Sequence, residues 1–172
     1  MYTRFRYSSV VFLLTICLST VSCTLLQKES SVENTYKELK TKFPEAQVNL
    51  LQDSIKVIFP NNLVFDAGSA SLRLSFHKKL DRFADIININ TKTNLLITGH
   101  TDNSGDRDTN LKLSLDRAES VKMYLSKKKV AMNRLFTWGL GEKSPIVPNT
   151  SEPAKKQNRR VEFIVLYNPK RI

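Results

Sequence analysis

Within the segment Gly99–Val121, GHTDNSGDRDTNLKLSLDRAESV, the carboxylate of Asp102 precedes the guanidinium of Arg117 by fifteen residues. That interval crosses a polar loop and enters a stretch of helical periodicity, so an acid on a loop and a base on the next helix can be held to one ligand. A carboxylate accepts hydrogen bonds from a cationic donor, and a planar guanidinium grips a carboxylate with two parallel hydrogen bonds, a geometry lysine does not copy. Thr101 to Gly105 would direct backbone N–H groups toward the same place, near a helix N-terminus that favours anions. Taken singly, each residue has a plainer reading. Asp102 could cap its own loop, and Arg117 could sit in a surface ion pair with Asp116 or Glu119 that contributes little.

Rival chemistries find less support in the residues. Asp102 and Asp106 could form a carboxylate pair for glycoside cleavage, but both fall in one short polar loop and nothing marks either for a raised pKa. No serine, cysteine and histidine arrangement points to acyl transfer, so no catalytic residue is assigned. His77 and His100 are the only histidines, which argues against a zinc site, and neither a metal nor another cofactor is expected.

The elements that must position Asp102 and Arg117 follow from apolar spacing. Val32, Tyr36, Leu39 and Phe43 recur at helical intervals with Pro44 as a stop, giving a short helix or, equally well, a solvated linker. Ser54–Phe59 alternates as a strand before Pro60, Asn61 and Asn62 interrupt it. Gly68 opens a helix from about Ser69 to Ile89, with Leu72, Phe76, Leu80, Phe83 and Ile87 on one stripe. Leu95–Ile97 reads as a buried strand ending at Gly99. A second helix, capped by Asp108 or Thr109, carries Leu111, Leu115, Ala118, Val121 and Leu125 up to the Lys127–Lys129 run, where cations suit the helix dipole. Leu135–Trp138 and Val161–Leu166 are further strands. The alternation predicts an α+β fold, β-α-β-α-β, with a mixed four-stranded sheet and both main helices on one face.

At 172 residues the chain accommodates one core and a modest tail. Its formal net charge of +11 invites an anionic partner. Arg4 and Arg6, the apolar run Val10–Leu18 and small residues up to Cys23 have the layout of a secretory signal peptide over residues 1–22, too short in its apolar run to span a bilayer. Removing that segment takes two of the 27 cations and none of the 16 anions, leaving +9 on the mature domain. The basic residues are spread along the chain and the leader exports it, so nucleic acid is not the expected partner. Cys17 would leave with the leader and Cys23 would be the first mature residue, so no pair remains for an internal disulfide.

Three separated motifs, NNLVFDAGSASL at Asn61–Leu72, the Gly99–Val121 segment and NRRVEF at Asn158–Phe163, resemble in order the peptidoglycan-binding domain of OmpA and of peptidoglycan-associated lipoproteins. The resemblance implies a domain over residues 46–172 that binds the diaminopimelate of the peptidoglycan stem peptide, whose free end carries an ammonium and a carboxylate on one carbon. Asp102 matches the family aspartate that accepts from the ammonium, and Arg117 the arginine that holds the carboxylate. Thr101, Asn103 and Gly105 belong to the binding loop, with Gly105 permitting its turn. Asn110, with Leu113 and Ser114, completes an N-x-x-L-S pattern that holds that loop, and His100 belongs to the same scaffold. Phe65 and Asp66 match the pocket wall. Arg160 would brace the site or touch the ligand, or else Arg159 and Arg160 are ordinary cations flanking an edge strand. Asp116 replaces the small or polar residue common at that place and would compete for Arg117.

Cys23 likewise resembles the lipidated cysteine of bacterial lipoproteins. Thr20 and Ser22 stand where that pattern usually has Leu and Gly or Ala, which leaves cleavage by an ordinary signal peptidase as the alternative. The implied protein is a non-catalytic outer-membrane lipoprotein. Residues 23–45 form its lipidated tether, its domain faces the periplasm, and it links membrane to cell wall alongside other envelope proteins. A surface-exposed adhesin-like lipoprotein and a wall-acting glycosidase are the alternatives.

Overall fold

The structure is a computed structural model that describes residues 31–66 and 68–167, so the expected leader and Cys23 lie outside the described residues. The first described element is a helix, α1, covering residues 31–42. It is followed by β1 (Gln47–Leu51), β2 (Ser54–Pro60), α2 (Asn61–Val64), α3 (Leu74–Ile89), β3 (Asn94–His100), α4 (Arg107–Lys127), β4 (Leu135–Gly141), α5 (Glu152–Asn158) and β5 (Arg160–Leu166). The strands form one mixed sheet in the order β1-β2-β5-β3-β4, antiparallel throughout except for the parallel pair β3 and β4.

The expected α+β architecture is present, with five strands where four were expected. The extra strand is β1, joined to β2 by a hairpin whose register sets Leu51 opposite Ser54. Its sequence QVNLL lacks clean alternation because it is an outer strand with only Val48 half-buried. Propensity alone does not reveal such a strand.

Ile55, Val57 and Phe59 of β2 and Val161, Phe163 and Val165 of β5 point to one sheet face, as strand alternation requires, and all six are fully buried. Phe76 and Phe83 of α3 meet this face edge-on, with ring centroids 5.1 Å from Phe59 and 4.9 Å from Phe163. Phe43, just past α1, closes the cluster 5.6 Å from Phe59. Leu39 and Phe43 are fully buried, so α1 packs as part of the folded unit and the solvated-linker alternative does not hold for it. The packed unit thus begins ahead of residue 46.

α3 starts later than its stripe suggested. Ser69–Arg73 instead returns as a loop, with Phe65 bridging Leu72 and Arg73 N–H donating to the Val64 carbonyl at 2.9 Å. Gly68 sits in this turn at φ +65°, where a side chain is disfavoured, so it opens a loop and not a helix. At the other end of α3, Arg134 donates to the carbonyls of Ile87, Asn90 and Thr93, closing groups that a helix end leaves open.

Candidate functional site

The site is assembled where β3 hands over to α4. A Cβ added to Gly99 would lie 2.1 Å from the carbonyl oxygen of Ser114, and one on Gly139 of β4 would lie 2.5 Å from the Leu115 nitrogen. These two glycines therefore let α4 rest directly on the ends of both strands. Asp106 caps the helix by accepting from the Thr109 N–H at 2.8 Å, two residues before the earliest cap expected. Its buried face carries Asn110, Ser114 and Arg117 before Ala118, Val121 and Leu125, while Leu115 is exposed. Polar residues thus occupy the leading turns of the inward stripe, where an apolar pattern had been read.

Asn110 and Ser114 tie α4 to the loop and to the end of β4. Asn110 donates to the Ser104 carbonyl at 2.9 Å and to the Asp102 carbonyl at 3.4 Å, and Ser114 Oγ accepts from the Gly141 N–H at 2.9 Å. Asp102 is 5% exposed, accepting from the Ser104 N–H at 2.8 Å and from Arg159. Burial pushes its pKa up, but the Arg159 and Ser104 hydrogen bonds win and hold the carboxyl below the usual range. Arg159 is divided between Asp102 and the exposed Glu152. Burial works against its charge too, yet those two carboxylates hold its pKa above the ordinary value.

Arg117 is 3% exposed. Its Nε donates to the Ser69 carbonyl at 2.9 Å, and its guanidinium lies 5.5 Å from the centroid of the Phe65 ring. Burial lowers its pKa, the nearby charge of Arg159 lowers it further, and Asp102 acts in the opposite sense. Among the described residues no carboxylate forms an ion pair with it. Asp116, the expected competitor, pairs with Lys112 at 2.6 Å instead, since i and i+4 meet on a helix surface.

Arg117 and Phe65 line a cleft of about 400 Å³ together with Asn61, Arg73, Lys156 and Arg159. Asp102 pairs with Arg159 but is not among the residues that line the cleft. Asn61 N–H donates to the Arg159 carbonyl at 3.0 Å, which locks the α2 wall to the wall that follows α5. A wider groove of about 730 Å³ runs between α3 and α4 past His77 and Tyr124, on the far side of Ser69.

Asp66 is exposed and pairs with Arg73 at 3.2 Å on the cleft rim. Asn103 and Gly105 are exposed on the loop, Gly105 at φ +85° as its turn requires. Thr101 is buried, and its N–H donates to the Gly141 carbonyl at 2.9 Å. That donor and Ser104 N–H are therefore used inside the protein, not aimed at a ligand. Arg160 does not reach the cleft. It is buried against Glu162 at 2.8 Å and the Ser144 carbonyl at 3.1 Å, because neighbouring side chains on nearly extended backbone diverge.

Arg159, Arg73 and Lys156 were not singled out as ligand contacts from the sequence. Arg159 was visible as half of the NRR pair. Arg73 and Lys156 carry no spacing signal and converge only through the fold. α5 was also unseen, because its residues EPAKKQN lack an apolar period. Ser151 as a cap with Pro153 in the first turn was the available cue.

Asp106 is spent on capping, and its backbone hydrogen bond from Thr109 holds its carboxyl below the usual range. Neither it nor Asp102 is thus poised as a proton donor. Among the described residues no cluster of His, Cys, Asp and Glu is arranged to hold a metal, and no helix is long and apolar enough to cross a membrane.

Residues 64–159 match the OmpA family. A protein named "Probable lipoprotein YiaD" from Escherichia coli strain K12 is 39% identical over 111 residues, covering 64% of this chain and 51% of that protein. This chain thus spans about half the length of that relative. The peptidoglycan-associated lipoprotein of Buchnera aphidicola subsp. Baizongia pistaciae is 25% identical over 163 residues, covering 90% of this chain and 94% of its own. Among solved structures, a MotB-like protein from Desulfovibrio vulgaris superposes with a TM-score of 0.73 at 27% identity, covering 83% of this chain and 96% of that one.

Proposed function

The chain belongs to the OmpA family, and from that premise we propose that it is a non-catalytic, lipid-anchored protein that grips the diaminopimelate of the peptidoglycan stem peptide and ties the outer membrane to the wall. The observation that carries this reading is Arg117. A buried guanidinium costs several kcal/mol in lost hydration unless it is paired. Arg117 has one hydrogen bond, through Nε to a carbonyl, and both Nη groups are without an acceptor among the described residues while the side chain lines an open cleft. An incoming carboxylate would complete it with two parallel hydrogen bonds.

Asp102 supplies the complementary charge. Its oxygens accept from Arg159 and from the Ser104 N–H and side chain, and a carboxylate has about four lone-pair sites, so room remains for an ammonium. Arg159 keeps the acid ionised and lines the cleft beside Arg117, whereas Asp102 is bonded to Arg159 without being a lining residue itself. A zwitterionic amino-acid terminus would place its carboxylate on Arg117 and its ammonium toward Asp102. Lipidation at Cys23, an outer-membrane location and a periplasmic orientation rest on the leader's layout and on the lipoprotein names of the two relatives.

Arg117→Ala is expected to weaken binding to purified sacculi by about 2 to 5 kcal/mol, the usual cost of removing one partner of a close charge pair. Co-sedimentation with sacculi measures it. Undiminished co-sedimentation of a folded Arg117→Ala protein would remove the basis of the proposal.

A further inference from the structure

Four cations line the cleft, and a single zwitterionic terminus does not account for all of them. Arg159 is matched by Asp102 and Glu152. Arg117 would take the ligand's terminal carboxylate under the function proposed above, on which this inference rests. Arg73 pairs with Asp66 at 3.2 Å, but both side chains are about half exposed, at 46% and 57%, so that pair is weak and open to exchange. Arg73 is at the same time held in place by donating to the Asn62 carbonyl at 2.7 Å. Lys156 projects from α5 and has no ion-pair or hydrogen-bond partner among the described residues. A zwitterion brings no net charge, so once it is seated Lys156 still faces the cleft uncompensated.

We propose that this cleft takes a peptide bearing two carboxylates, with Lys156 and Arg73 holding the one that Arg117 does not. The cleft volume of about 400 Å³ falls in the range of sites that enclose a whole small ligand, roughly 300 to 1,000 Å³, which leaves space beyond one amino-acid tip. In a stem peptide the second carboxylate is either that of the γ-linked glutamate preceding the diaminopimelate or that of the peptide's C-terminus. Both present the same chemistry to an ammonium, so the site reads a free acid against an amide.

Calorimetric titration with three diaminopimelate tetrapeptides separates these sources: one unmodified, one amidated at the glutamate carboxyl, and one amidated at the C-terminus. One amidated peptide is expected to bind about fivefold more weakly than the unmodified one, as for a partly exposed charge pair. Lys156→Gln, an exposed change that leaves the fold intact, is expected to lower affinity for the unmodified peptide by the same factor. It should produce no further loss for the amidated peptide that already binds weakly. Equal affinity for all three peptides, or loss on amidation that Lys156→Gln does not absorb, overturns the second-carboxylate assignment while Arg117-dependent binding keeps the parent reading. Failure of the wild-type protein to bind any of the three removes both.

Discussion

At the residue scale Asp102 and Arg159 form an ion pair, although only the acid was singled out from the chain. Arg159 holds the Asp102 carboxyl below the usual range against the effect of burial. In Arg159→Ala the burial penalty is left with fewer hydrogen bonds to oppose it, so the folded-state pKa of Asp102 rises. The acid side of the binding profile should then move to higher pH, with affinity for sacculi falling off in mildly acidic buffer where the wild type still binds. Co-sedimentation across a pH series checks this, and an unchanged acid limit would detach Arg159 from the site. Asp102 and Arg117 stand out in the sequence because their types and interval are unusual together, and the fold puts Arg117 in a cleft beside the arginine that pairs with Asp102. Arg160 was expected at the site from the NRRVEF resemblance, but sequence does not show which of two adjacent arginines faces the cleft; Arg159 does, and Arg160 turns toward Glu162.

α4 is the element on which the site depends, since it carries Asn110, Ser114 and Arg117 inward and lies against β3 without an intervening side chain. Gly99→Ala puts a methyl 2.1 Å from the Ser114 carbonyl oxygen, backbone that cannot swing aside. The helix must move away from the sheet, at a cost of about 3 kcal/mol. Urea denaturation should show that loss, together with weaker sacculus binding as Arg117 withdraws from the loop. A midpoint within error of the wild type would mean that the close approach is not the constraint described. The core helices and the inner strands were legible from apolar period, because burial on one face writes that period into the sequence. β1 and α5 were not, since one is an exposed outer strand and the other a polar helix, and α4 misled the pattern because Asn110, Ser114 and Arg117 hold inward places that apolar residues usually fill.

For the molecule as a whole, the aromatic core on one sheet face is matched by a buried polar cluster on the other. Lys56, His100, Arg160 and Glu162 alternate with core residues on β2, β3 and β5, and Glu162 pairs with Lys56 at 2.9 Å and Arg160 at 2.8 Å. His100 lies 3.6 Å from Glu162, too far for a hydrogen bond, and both ring nitrogens are buried without a partner. Burial, followed by the charge of Arg160, pushes its pKa down from 6.5 to about 4, with Glu162 pulling the other way. The unfolded chain takes up this proton as pH falls through 6.5, while the folded protein takes it up only near 4, so stability present above 6.5 is lost across that window. The loss is about 3 kcal/mol at roughly 1.4 kcal/mol per pH unit. His100→Leu should flatten the urea stability profile between those limits, whereas an undiminished slope would assign the acid sensitivity elsewhere. The proposed function concerns a separate surface feature, the cleft lined by Arg117 and Arg159. The most direct measurement is calorimetric titration of the protein from residue 31 onward with diaminopimelate-containing stem peptide and, in parallel, with the lysine-containing peptide that lacks the side-chain carboxylate. The account predicts saturable binding of the first and a loss of about tenfold or more for the second, as expected when a charge-assisted bond to a buried guanidinium is missing. Equal affinity for the two peptides would contradict it.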